Sequence, residues 1–169
     1  MYKNKNYHKH VVSVLVYNKY GVLNKITNLF KRRGYNIESI SAGKAEKNGM
    51  VRLTIVVCGD DRIIEQVEKQ LYKVLETVKV TPIHPNQKVI KELALIKIKA
   101  NSERRSEIIQ MVEIFRANIV DAGLDGFIIE ITGNKEKIDS FINLIDANNI
   151  IEIARTGAVA LNRWSIHNS

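Results

Sequence analysis

Val11-Val-Ser-Val-Leu-Val-Tyr-Asn-Lys-Tyr-Gly-Val-Leu23 is the stretch on which the fold turns. Its first half, through Tyr17, is a β-branched and apolar run that reads as a buried strand. Asn18-Lys-Tyr-Gly21 breaks the run. Val22, Leu23, Ile26, Leu29 and Phe30 then recur at three- and four-residue spacing, which marks one face of an amphipathic helix. Gly34 is placed to end that helix. Residues 37–43 and 50–57 read as two strands around the polar turn Glu46-Lys-Asn-Gly49, a hairpin. Gly59-Asp60-Asp61 closes the second strand, and its acidic pair is suited to cap a helix with Ile63, Ile64, Val67 and Leu71 on one face. Residues 74–83 supply a last strand, giving the order β-α-β-β-α-β.

The two prolines fall together in Pro82-Ile-His-Pro-Asn-Gln87, a linker signal. Beyond it the order starts again. Residues 93–100 form a strand, and Asn101-Ser102 caps a helix carrying Ile108, Met111, Val112 and Phe115 inward. Residues 118–122 and 127–132 flank the turn Gly123-Leu-Asp-Gly126. Gly133-Asn134 caps a helix with Ile138, Phe141, Ile142 and Ile145, and residues 150–154 end the series. Cys58-Gly59-Asp-Asp before Ile63 parallels Thr132-Gly133-Asn-Lys before Ile138, so the chain is an internal repeat. The expected class is α+β: two ferredoxin-like βαββαβ units, each an antiparallel sheet with its helices on one face. The expected partition is a flexible N-terminal extension (1–9), a first domain (10–83), a linker (84–90), a second domain (91–163) and a tail (164–169). Sheets of this kind leave edges and one face without cover, so a homodimer or a larger partner is expected.

The 169 residues carry a net charge of +8. Residues 1–85 hold 15 Lys and Arg against 7 Asp and Glu, whereas residues 86–169 are balanced at 11 against 11. The surplus in the first half invites a nucleic-acid reading. Its one dense cluster, Lys31-Arg32-Arg33, ends a helix, where cations complement the dipole. RNA-binding sheets of this topology stack bases on strand aromatics, and the strands Val51-Arg-Leu-Thr-Ile-Val-Val57 and Phe127-Ile-Ile-Glu-Ile-Thr132 are aliphatic apart from Phe127. An amino-acid-responsive nucleic-acid-binding regulator is therefore the alternative reading, not the leading one. No apolar run approaches bilayer-spanning length, no secretion signal is evident, and a single cysteine, Cys58, makes no internal disulfide. These features point to the cytoplasm.

No constellation for catalysis is apparent. His8 and His10 lie at the polar N-terminus, His84 in the linker and His167 in the tail, none beside a nucleophile. Cys58 ends a strand and reads as a small core hydrophobe. No phosphate loop, dinucleotide fingerprint or metal cluster is present, so neither an enzyme active site nor a cofactor on this chain is expected. What remains is the turn. Helix N-terminal N–H groups attract a carboxylate, Gly21 permits close approach of a ligand, and the Asn18 amide both donates and accepts. Asn36 opens the next strand, from which it is expected to approach the same ligand. The local pattern alone leaves this open between a plain turn and a binding turn.

The block Asn18-x-x-Gly21-Val22-Leu23, then Leu29-Phe30-x-x-Arg33-Gly34-Tyr35-Asn36-Ile37-Glu38-Ser39, closely resembles the first ACT domain of acetolactate (acetohydroxyacid) synthase small regulatory subunits. The likeness continues through Gly59-Asp60, Glu65-Gln66-x-Glu68-Lys69-Gln70-Leu71, Glu113-Ile114-Phe115-Arg116 and Glu152-x-Ala154-Arg155-Thr156-Gly157. It covers roughly residues 10–163. The resemblance implies an N-terminal ACT domain followed by an ACT-like domain, and a homodimer that binds a branched-chain amino acid, typically valine. It implies a catalytic large subunit carrying thiamine diphosphate, Mg2+ and FAD, which the small subunit activates and places under feedback inhibition in valine, leucine and isoleucine synthesis. Its effector positions carry over as Asn18, Gly21, Val22 and Leu23 from one subunit, with Asn36 and Ile37 from the adjoining one. One departure stands out: many relatives have an acidic residue before the first asparagine, where this chain has Tyr17.

Overall fold

Val12, Val14 and Val16 alternate along one strand and are all fully buried, and the fold of the first unit is built on them. A computed structural model describes residues 8–164. In it the chain divides into two units. One comprises the described residues up to Val89 together with those from Ala158 onward; the other is Ile90–Gly157. Residues 1–7 of the expected extension and 165–169 of the expected tail, His167 among them, lie outside the described residues.

The first unit contains β1 (His8–Tyr17), α1 (Val22–Arg33), β2 (Asn36–Lys44), β3 (Met50–Gly59), α2 (Asp61–Leu71) and β4 (Thr77–Ile83). Its sheet runs β2-β3-β1-β4, with every neighbouring pair antiparallel. The valines of β1 join Leu53, Ile55 and Val57 of β3 against Ile26, Leu29 and Phe30 of α1 and Val67 and Leu71 of α2. Phe30 meets Tyr35 edge to face at 5.8 Å between ring centroids, a geometry that aromatic quadrupoles favour. The Asp60 carboxylate accepts the Ile63 N–H at 3.1 Å and so caps α2, as expected.

The second unit contains β5 (Lys88–Lys99), α3 (Arg105–Ile114), β6 (Asn118–Ala122), β7 (Gly126–Gly133), α4 (Lys135–Leu144) and β8 (Ile150–Arg155). Its sheet order, β6-β7-β5-β8, reproduces that of the first unit position for position. Asn134 caps α4 through the Lys137 N–H at 3.1 Å, the counterpart of Asp60. Ile96, Ile98, Ile129 and Ile131 pack on Ile108, Val112, Ile138 and Phe141. The ferredoxin-like α+β class is therefore that of the chain.

Several boundaries differ from expectation. β1 begins at His8, so His8 and Lys9 belong to a strand rather than to an extension, paired with Gly59 and Cys58. β4 begins at Thr77, not at 74, because Val74 accepts the Thr77 N–H in a turn. β5 begins at Lys88, which shortens the linker to four residues. α3 begins at Arg105: the Asn101 side chain accepts the Arg104 N–H, so the polar pair builds a turn before the helix instead of capping it. A short strand, β9 (Val159–Asn162), was not anticipated, and its residues belong with the first unit. There the Asn162 side chain accepts the His84 N–H and donates to the Pro82 carbonyl, tying the linker down.

Gly126 sits where β7 starts beside β5. A Cβ there would lie 1.9 Å from the Ile98 carbonyl oxygen, which is backbone and cannot swing aside. Gly126→Ala is expected to lower the stability of the full chain by about 3 kcal/mol, read as a drop in the urea midpoint at unchanged slope. An unchanged midpoint would show that this approach is not close in solution.

Candidate functional site

The turn from Tyr17 to Val22 is held from three sides. The Tyr17 N–H donates to the Glu76 carbonyl at 2.9 Å, the Asn18 N–H to the Gly49 carbonyl at 2.8 Å, and the Lys19 N–H to the Tyr17 carbonyl at 2.9 Å. Gly21 then precedes α1 with φ +78°, in the left-handed region that glycine occupies without strain. A Cβ at Gly21 would meet nothing within 4 Å, so the space beside it is open. No side chain caps α1, and no acidic residue lies in its first turn. That end of the helix therefore keeps its partial positive charge available to an anionic group. Val22 is buried beneath the turn, and Leu23 is 39% exposed beside it. The Asn18 amide is exposed and engages no other side chain among the described residues.

Asn36 and Ile37 stand elsewhere. Asn36 pairs with Cys58 and Ile37 with Val57, while Tyr17 pairs with Met50. From Met50 to Cys58 is eight residues of strand, about 27 Å. Within one chain, then, Asn36 cannot approach a ligand held by Asn18, which corrects that expectation. The cause is topological: β1 and β2 are both antiparallel to β3, so they are parallel to each other, and the end of β1 and the start of β2 fall at opposite ends of the sheet. β2 is an edge strand. A bulge at Glu38, between Ile37 and Ser39, leaves its carboxylate to accept from Lys9 at 2.7 Å.

Beneath the turn lies a residue that local pattern did not single out. Glu76 is 7% exposed at its side chain, receives the Tyr17 N–H through its backbone, and pairs with Lys25 of α1. The Lys25 ammonium holds the Glu76 carboxyl below the usual carboxylate range. The turn is thus tied to both α1 and β4. Its sequence signal, an isolated Glu next to Thr77, carries no periodicity. Cys58 differs from the expected core hydrophobe. It is half-buried, its Sγ lies 3.5 Å from Glu38, and burial pushes its thiol pKa upward. Among the described residues no group of His, Cys, Asp and Glu could hold a metal ion, and no helix is long and apolar enough to cross a membrane.

The Glu152–Gly157 run acquires a structural role. The Arg155 guanidinium grips the buried Glu92 carboxylate with two bonds, 2.6 and 2.9 Å, and reaches Asp139 of α4 at 2.7 Å. Glu92, then Asp139, raise the pKa of Arg155. Thr156 receives the Leu93 N–H on its hydroxyl at 3.1 Å and returns its own N–H to the Leu93 carbonyl at 3.0 Å. The run therefore fastens β8, β5 and α4 of the second unit to one another.

A βαββαβ unit whose antiparallel sheet runs in the order β2-β3-β1-β4 is the architecture of an ACT domain. A family profile described as "AHAS small subunit-like ACT domain" matches residues 12–79, and one described as "Small subunit of acetolactate synthase" matches residues 91–164. A protein of Archaeoglobus fulgidus described as "Probable acetolactate synthase small subunit" is 50% identical over 92% of this chain and 97% of its own length. The Aquifex aeolicus acetolactate synthase small subunit is 45% identical over 92% of this chain and 81% of its own. The crystal structure of the Thermotoga maritima acetolactate synthase small subunit superposes with a TM-score of 0.91 at 53% identity, covering 94% of this chain and 99% of that one. The chain belongs to the acetolactate synthase small-subunit family.

Removing the guanidinium leaves a buried carboxylate uncompensated, so Arg155→Met is expected to cost about 3 kcal/mol near neutral pH. Lys135 and then Arg155 hold the Asp139 carboxyl below its ordinary range. A depressed carboxyl contributes stability that is present above its ordinary value and is lost as pH falls through the depressed one. The gap between wild type and variant should therefore shrink in acid, as urea unfolding at a series of pH values will show.

Proposed function

We propose that this chain is the regulatory subunit of an acetolactate synthase, binding a branched-chain amino acid, valine in the first instance, between two copies of its ACT domain. The observation that carries the reading is the turn itself: an uncapped helix end without acidic residues, an open space at Gly21, and an unengaged amide at Asn18. The carboxylate of the amino acid meets the helix N–H groups, the Asn18 amide bridges its polar atoms, and Val22 and Leu23 supply apolar contact. The opposite-end placement of Asn36 favours a shared site. Antiparallel pairing of β2 with its copy carries the partner subunit's Asn36 and the partner subunit's Ile37 to the Lys44 end of this chain's β2. Lys44 pairs with Val51 and Val51 with Val16, so that is the end at which Asn18 lies.

On this reading the chain does no chemistry. It joins a catalytic subunit that carries thiamine diphosphate, Mg2+ and FAD, activates it, and conveys inhibition when the amino acid binds. A coupling of about 1–3 kcal/mol between effector and catalytic subunit is of ordinary size. No basic stacking platform supports the nucleic-acid alternative, and binding to RNA or DNA that weakens steeply with salt would revive it.

Calorimetric titration with valine, leucine and isoleucine tests the site. Asn18→Ala and Asn36→Ala should each abolish heat release at concentrations that saturate wild type. Mixing and re-equilibrating the two variants should restore binding, because in a mixed dimer one of two sites has both asparagines. Failure of the mixture to recover, with both variants folded, means that the asparagines do not meet. Gly21→Asp should leave activation of the catalytic subunit and remove inhibition, since its carboxylate occupies the anion's place.

A further inference from the structure

The Lys31-Arg32-Arg33 cluster is not used by the effector turn, yet it does not stand alone. The end of α1 and the segment after α2 form the two walls of an open groove of about 1200 Å³. Lys25, Lys31, Arg32 and Arg33 line one wall and Lys73 the other, with Glu76 the one acidic residue among the lining residues. Glu76 is already paired with Lys25. Arg33 reaches only the neutral Gln70, and Lys31, Arg32 and Lys73 are exposed and form no ion pair among the described residues. Cations on one side of a concave surface reinforce one another's field and draw in opposite charge. Leu29 and Val74 lie in the same groove, and Leu75 at its rim is 87% exposed.

We propose that this groove docks an acidic segment of the catalytic subunit, a stretch of carboxylates with at least one apolar side chain; the inference rests on the regulatory reading above. Two features select a peptide over a compact phosphate. The groove lies along the C-terminal turns of α1 and α2, where helices present carbonyls rather than the N–H groups that cradle phosphate. Its unpaired cations stand on both walls, Lys31, Arg32 and Arg33 on α1 and Lys73 across from them, which suits carboxylates of a chain passing between them. Leu75 and Val74 then receive the segment's apolar residue, a contact that an inorganic polyanion has no means to make.

The test measures binding of the full chain to its catalytic subunit by surface plasmon resonance at low and at raised ionic strength. Arg32→Glu combined with Lys73→Glu should weaken the complex by roughly tenfold or more and flatten its salt dependence. Lys97→Glu combined with Lys99→Glu, exposed on β5 and identical in charge change, should weaken it by less than about threefold. Circular dichroism checks that both variants keep the fold. Equal weakening by the two pairs, or none by either, overturns the groove while leaving the regulatory reading intact. A wild-type chain with no affinity for the catalytic subunit overturns both. Saturable binding of tripolyphosphate, lost in the groove variant while its affinity for the catalytic subunit persists, assigns the groove to small anions and overturns the docking role.

Discussion

The ten-residue antiparallel pairing of β1 with β3, from His8 opposite Gly59 to Tyr17 opposite Met50, is the constraint from which the rest of the first unit follows. It fixes which residues of β1 face the helices: Val12, Val14 and Val16 turn to the core, and a one-residue slip would exchange them with Val11, Ser13 and Leu15. It puts the β1–α1 turn at one end of the sheet and the start of β2 at the other. Loop chemistry alone could have put Asn18 and Asn36 together. The sheet keeps them apart, so any joint role requires a second polypeptide.

The features of the fold legible in the sequence were those with a local physical signature. The valine alternation of β1, the 3.6-residue spacing on α1 and the Gly-then-acceptor starts of α2 and α4 each encode an element within a few residues. What escaped was set by distant partners. β9 is four residues long, with only Ala160 buried, too short for a period to show. The first residues of β5, Lys88-Val-Ile-Lys, do not alternate in polarity as a half-buried strand would, and Pro85 so near argued for a linker. His8 and Lys9 look like a solvated tail until β3 offers them Gly59 and Cys58. Of the site, the turn residues were readable from their chemistry, and the pairing of Arg155 with Glu92, 63 residues away, was not, because neither residue carries a local sign of the other.

The two units repeat one plan but differ in how they handle charge. The first keeps cations unpaired on its surface, and Glu76, its one deeply buried acid among the described residues, sits directly beneath the turn. The second spends its most buried acid, Glu92, on a cross-tie from a guanidinium. A bidentate pair of this kind fixes geometry as well as charge.

The distance between Asn18 and Asn36 in one chain has a further meaning once the two are assigned to a shared pocket. A lone molecule then owns two halves of different pockets and no whole one. Ligand and self-association become linked by mass action: each molecule of amino acid bound holds a pair together, and each dissociation of a pair discards two pockets. Sensitivity to the amino acid would then depend on how much of the protein is present, and dilution alone would blunt the response without any change in the residues that make contact.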